Sequence, residues 1–155
     1  MVRVQSTFLV EATPEAVWDV LTDANYIPKL YPDLLNIVVD PPGRAVVGQS
    51  RSLNGRVGKR LIEFRTRVAE LVPMKRFVVT GRRGGAFESF TETIDIEELK
   101  EGTMVRAFFE FKVSAAYFGP AFDPFVLNQA ASLNEEVYMK NLKELAELHD
   151  PTPVG

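Results

Sequence analysis

Residues 119–149 constrain this chain more than any other stretch. Gly119-Pro120 punctuates the backbone, and the thirty or so residues that follow contain no Gly and one early Pro. Phe122, Val126, Ala130, Leu133 and Val137 recur at helical spacing, and Leu145 and Leu148 continue the apolar side. Glu135, Glu136, Lys140, Lys143, Glu144 and Glu147 fill the other side. The pattern predicts one long C-terminal amphipathic helix of about seven turns. Such a helix needs a wide apolar surface to lie on.

The chain ahead of it predicts strands that can make that surface. Val2–Val10 alternates, with one face mostly apolar. Thr13-Pro14-Glu15-Ala16 then starts a helix, with Thr13 as N-cap and Pro14 at the first helical position. Thr22 to Asn25 ends it, and Tyr26–Leu30 forms a second short helix stopped by Pro32. Further strands are expected at Leu34–Val39, Ala45–Leu53, Lys59–Leu71, Lys75–Gly81, Phe87–Glu97 and Thr103–Val113. Gly48 marks a bulge or a close approach, and Asn54-Gly55 is the strongest hairpin signal. Arg82-Arg83-Gly84-Gly85 and Lys100-Glu101-Gly102 supply later turns. Turns at roughly ten-residue intervals argue an antiparallel meander, and a long helix after it argues an α+β fold. Residues 1–149 read as a single domain and 150–155 as a frayed tail.

Composition narrows the function classes. The chain has 155 residues, none of them Cys, and 46% are apolar. This excludes a thiol nucleophile, a disulfide framework and a zinc thiolate site. The one histidine, His149, sits at the helix end, so neither a His-based triad nor a metal site can be assembled. No cofactor is therefore expected. No apolar run approaches the ~20 residues that cross a bilayer, and no signal-peptide layout opens the chain, so a cytoplasmic protein is the expectation. Residues 44–83 hold eleven Lys or Arg against two acids, a segment of +9 in a chain of net charge −3. Two readings stay open: basic strands balanced by acidic neighbours, or a basic face that meets an anionic membrane or an acidic partner. The segment lacks the stacked aromatics of a single-strand platform, and no phosphate-binding fingerprint is present, so nucleic acid is not an expected partner.

The opening Val10-Glu11-Ala12-Thr13-Pro14-Glu15-Ala16-Val17-Trp18, then Tyr31-Pro32-Asp33, and Gly102-Thr103 before the last strand resemble the START/Bet v 1-like superfamily, the polyketide cyclase/dehydrase and lipid-transport group. The resemblance covers almost the whole chain. It implies a helix-grip: a curved seven-stranded antiparallel sheet around the long C-terminal helix, with two short helices after the first strand. It also implies a cavity between sheet and helix for an apolar or amphipathic small molecule, such as a lipid, polyketide or quinone.

Under that fold, period-two alternation turns Phe64, Thr66 and Val68 inward on one strand. Phe90, Glu92 and Ile94 face inward on another, and Ala107, Phe109 and Phe111 on the last. A slip of one residue would invert each set. From the helix, Phe122, Val126, Gln129, Leu133 and Val137 are expected to face inward, with Phe125, Tyr117 and Phe118 near the mouth. Tyr26 and Tyr31 border the entrance with a hydroxyl each. Glu92 shares its face with Phe90 and Ile94. Inside, it is a raised-pKa or Arg-paired carboxylate able to orient a hydroxyl or act as acid and base; at the rim, it is solvated. Three functions remain open: ligand binding or transfer, a cyclase or aromatase, and a protein-interaction module.

Overall fold

A computed structural model describes residues 2–31, 34–57, 60–82, 84–119 and 123–149. Strand β1 (Val2–Val10) leads into helix α1 (Pro14–Thr22), a single 3-10 turn (Ala24–Tyr26) and helix α2 (Ile27–Leu30). Six strands follow: β2 (Leu34–Asp40), β3 (Ser50–Val57), β4 (Arg60–Val72), β5 (Arg76–Gly81), β6 (Phe87–Leu99) and β7 (Gly102–Val113). Helices α3 (Ala115–Phe118) and α4 (Pro124–His149) complete the described chain. The strands form one antiparallel sheet in the order β1-β7-β6-β5-β4-β3-β2. This is the expected α+β helix-grip.

The sheet order explains the two short helices. Strands β1 and β2 follow one another in sequence yet occupy opposite edges. The chain between them must cross the sheet, and α1 and α2 make that crossing. The Thr13 hydroxyl accepts from the Ala16 N–H at 3.2 Å, as the N-cap reading expects. Val17, Val20 and Leu21 from α1 and Leu30 from α2 then enter a core with Val68, Phe77, Ile94, Val105 and Leu142.

Three local expectations are corrected. Asn54-Gly55 is not the turn of the β3–β4 hairpin: both residues lie within β3, where Gly55 pairs with Ile62 and also with Leu34 of β2. The register places the connection at 58–59, outside the described residues. A Cβ at Gly55 would touch Leu34 and Phe64, so glycine here admits neighbouring side chains. The third strand begins at Ser50 instead of Ala45, because residues 45–49 are held as a loop. Gly48 turns with φ 93°, and the fully buried Gln49 amide donates to the Pro41 and Gly43 carbonyls at 2.8 and 3.3 Å.

The third correction concerns the long helix. Gly119, expected to open it, caps the unexpected short helix α3 with φ 83°, and α4 begins at Pro124. The side of α4 expected to face inward is exposed: Val126 at 49%, Leu133 at 62% and Val137 at 43%, with Gln129 also exposed. Glu135, Tyr138, Met139, Leu142 and Ala146 are buried instead. The sequence carries two overlapping apolar stripes. Packing of the C-terminal half against α1 selects the stripe through Met139, Leu142 and Ala146. Extended backward, that stripe turns Glu135 inward. Leu133 and Val137, each two residues from Glu135, are about 200° around the helix from it. Phe122 and the 150–155 tail lie outside the described residues.

Among the described residues, no helix is long and apolar enough to cross a membrane. The basic 44–83 segment is partly balanced by acids. Arg44 pairs with Asp19, Arg65 with Glu63 and Arg76 with Asp95, at 2.7 to 2.9 Å, and Arg51 is buried.

Candidate functional site

Alternation on the central strands sends Leu53 (β3), Phe64 and Thr66 (β4), Phe90 (β6) and Phe109 (β7) toward α4, and a register shift between Phe87 and Ser89 brings Phe87 onto the same face. With Tyr31, Leu34 and Glu135 they enclose a cavity of about 90 Å³. Its aromatic wall is continuous. Phe64 stacks on Phe87 at 5.2 Å, Phe87 meets Phe90 at 5.2 Å, and Phe90 meets Phe109 edge-on at 4.9 Å. A smaller space of about 50 Å³ adjoins it, sharing Tyr31, Leu53, Thr66 and Phe90, and is bordered by Arg51, Glu92 and Tyr138.

Between wall and core lies a buried polar cluster. Glu92 is 5% exposed, Glu135 4% and Arg51 7%. Glu92 stands on β6 opposite Val79 of β5 and Phe109 of β7, so its own strand neighbours offer it no polar group. Its partner comes from α4, because the Glu92 and Glu135 carboxyls are hydrogen-bonded to each other. Arg51 donates through Nε to Gln49 Oε1 at 3.0 Å and lies over the Phe77 ring. Tyr31 and Tyr138 stack at 4.8 Å beside the carboxyls. Arg51 Nη2, Glu92 Oε2 and Glu135 Oε1 have no hydrogen-bond partner among the described residues.

Burial raises both carboxyls above their ordinary range. For Glu92, the Glu135 hydrogen bond and the Arg51 charge oppose that rise. For Glu135, burial is reinforced by the Glu92 charge and hydrogen bond, and it rises well above. Glu135 is thus raised further than Glu92, whose rise the Arg51 charge opposes. Burial, then the two carboxyls, push the Tyr31 and Tyr138 hydroxyls well up, which keeps them neutral. The cluster thus supplies one guanidinium and two carboxyls, both raised by burial, at the edge of an aromatic cavity.

The expected site residues divide into three groups. Tyr31, Phe64, Thr66, Phe90 and Phe109 line the larger space, and Glu92 borders the smaller one, inside and not at the rim. Phe111 is fully buried behind Phe87 and Phe109. Tyr117 and Phe118 pack on Ile62 and Ala86, where the Tyr117 hydroxyl accepts from the Glu63 N–H at 3.0 Å. Val126, Gln129 and Leu133 face solvent. Tyr26 lies apart from the cavity, its hydroxyl 3.4 Å from His149 Nδ1. Arg51, Glu135 and Tyr138 were not anticipated. The signal for Arg51 was its shared strand face with Leu53; for Glu135 it was the three-, four- and seven-residue spacing to Tyr138, Met139 and Leu142.

A curved sheet gripping a long helix over such a cavity defines a START/Bet v 1-like domain. The chain belongs to the family described as polyketide cyclase / dehydrase and lipid transport, whose model matches residues 1–150. Solved structures share the fold at low identity. The di-domain ARO/CYC StfQ from the steffimycin biosynthetic pathway superposes with a TM-score of 0.75 at 14% identity. That match covers 95% of this chain and 51% of StfQ, so the chain spans about half its length. A START superfamily protein from Mycobacterium smegmatis gives 0.71 at 18% identity, covering 94% of this chain and 97% of that one. A protein from Thermus thermophilus gives 0.70 at 18%, with the same coverages. No curated protein matches the sequence.

Proposed function

We propose that this domain binds an amphipathic small molecule. Its apolar body lies against Phe64, Phe87, Phe90 and Phe109, and its polar head reaches Arg51, Glu92 and Glu135. One observation carries the reading: an aromatic-walled cavity lined by Glu135, and the smaller space beside it bordered by Arg51 and Glu92, meet residues that each hold a buried polar atom without a partner among the described residues. More than ~90% of buried polar groups are hydrogen-bonded, and an unsatisfied one costs about 1–3 kcal/mol. A ligand head that completes these bonds recovers that cost. The cavity of about 90 Å³ is smaller than the roughly 300 Å³ at which small-molecule sites begin. A ring or chain end fits directly, and a larger body requires the first half of α4 to shift.

Titration with a neutral naphthylamine dye tests this. Saturable, one-to-one fluorescence enhancement is expected, and a folded Leu53→Trp variant, which fills the space shared by the two cavities, should lose it. Absence of saturable uptake by the unmodified protein overturns the reading. Denaturing mass spectrometry of freshly purified protein would identify a ligand already bound.

A second reading, cyclase or aromatase chemistry, is favoured by the two buried carboxyls of Glu92 and Glu135, both raised by burial. A carboxylic acid kept protonated above its usual range beside a carboxylate can move protons at a bound enolisable ketone. Deuterium exchange at the central carbon of a bound β-diketone should then be accelerated, and Glu92→Gln should abolish the acceleration. Equal rates with and without the protein reject it.

A further inference from the structure

The polar cluster constrains the charge of the ligand head, an inference that rests on the binding reading above. The charged and titratable groups facing it come from every element around it: Arg51 from β3, Glu92 from β6, Glu135 and Tyr138 from α4, and Tyr31 after α2. They comprise one cation and two carboxyls. Two carboxyls face one guanidinium, so the set has no spare positive charge for an anion unless both carboxyls are protonated.

The unpartnered atoms set the hydrogen-bond demand. Glu92 Oε2 and Glu135 Oε1 accept; Arg51 Nη2 donates. A hydroxyl meets more of it, since it donates its one proton to a carboxyl oxygen and accepts from Arg51 through its lone pairs. A carboxylate or phosphate only accepts. It could take Arg51 Nη2, yet it would leave both carboxyl oxygens unpartnered and add negative charge to a buried set that already holds two carboxyls.

We propose that this cavity selects an uncharged, hydroxyl-bearing head, as in an alcohol, phenol or enol, and rejects the carboxylate or phosphate of the same body. A carboxylic acid can enter only with its proton, so its apparent affinity above its own pKa falls about tenfold per pH unit.

Displacement of the neutral naphthylamine dye from the full chain by 2-naphthol and by 2-naphthoate, at about pH 6, 7 and 8, decides the matter. Naphthol should displace with an affinity that is level across the range. Naphthoate should be at least about tenfold weaker at pH 7 and gain about tenfold for each unit of acidification. A doubly substituted Glu92→Gln, Glu135→Gln protein, checked for folding by circular dichroism, leaves Arg51 without a counter-charge and should prefer naphthoate. If the variant does not fold, the pH series on the unmodified protein is sufficient. Dye binding with naphthoate as tight as naphthol and insensitive to pH overturns the charge selection and leaves the binding reading standing. Failure of the dye itself to bind overturns both.

Discussion

Glu135→Gln isolates the titration of the carboxyl that burial and Glu92 raise furthest above its ordinary range. Glutamine has the shape of a protonated glutamate and can still donate to Glu92, so packing is kept while one titration is removed. Glu135 titrates well above its ordinary 4.5 in the folded state and at ordinary values once unfolded. Between those limits the folded protein binds one proton more than the unfolded chain. By linkage, stability falls by about 1.4 kcal/mol for each unit of rising pH. The stabilisation is fully present below about pH 4.5 and is lost as pH rises through the folded value. In Glu135→Gln this loss disappears. The variant should therefore gain on the unmodified protein by up to about 1.4 kcal/mol for each unit of rising pH until the folded value is passed. With a urea slope near 2 kcal/mol/M, the midpoints separate by roughly 0.7 M per pH unit. Urea unfolding followed by circular dichroism at about pH 5, 5.75 and 6.5 measures this, since distant groups cancel in the difference. Midpoints of the two proteins that run parallel with pH would refute the raised titration of Glu135.

Other expectations follow from the packing. Leu133→Gln should change stability by less than about 0.5 kcal/mol because Leu133 is exposed, while Leu142→Ala should cost about 2–5 kcal/mol; thermal melts of the pair check which face of α4 is buried. Thr13→Ala should cost about 1 kcal/mol by removing the α1 cap, read from denaturant midpoints. Thr103→Val should cost about 1–2 kcal/mol, because the fully buried Thr103 hydroxyl donates to the Ala12 carbonyl at 2.8 Å and ties β7 to the start of α1. Arg76→Gln should cost under about 1 kcal/mol despite the two bonds to Asp95 at 2.7 and 3.0 Å, and added salt should shrink the effect; unfolding at low and high salt tests this.

The strands were legible because each inward set repeats every second residue with few interruptions: Phe64, Thr66 and Val68, then Phe90, Glu92 and Ile94, then Ala107, Phe109 and Phe111. Their shared orientation needed no knowledge of neighbours. The helix was harder, because Leu133 and Val137 make as good a stripe as Met139 and Leu142, and only contact with α1 and the core distinguishes them. That one rotation moved Gln129 out and Glu135 in. It hid the second half of the carboxyl pair from any reading of α4 by itself. Arg51 was obscured differently. It was counted with a basic surface, and its burial depends on Gln49 folding the 45–49 loop back beneath it.

The cluster is an unusual choice if stability alone is considered. Replacing a buried ionic set with apolar side chains of similar volume is often neutral or stabilising by about 1–4 kcal/mol. Here apolar neighbours already surround it: Phe77 under Arg51, and Val79 and Phe109 flanking Glu92. A core that needed only filling would continue those residues through positions 51, 92 and 135. The polar set also comes from three separated elements, two sheet strands and the helix laid over them, so no single turn or cap requires it. Its free atoms adjoin the aromatic cavity, where the helix-grip leaves space instead of packing. The cost of burying these groups is therefore incurred where a ligand can offset it. This placement ties the polar set to the cavity more directly than any one of its residues does.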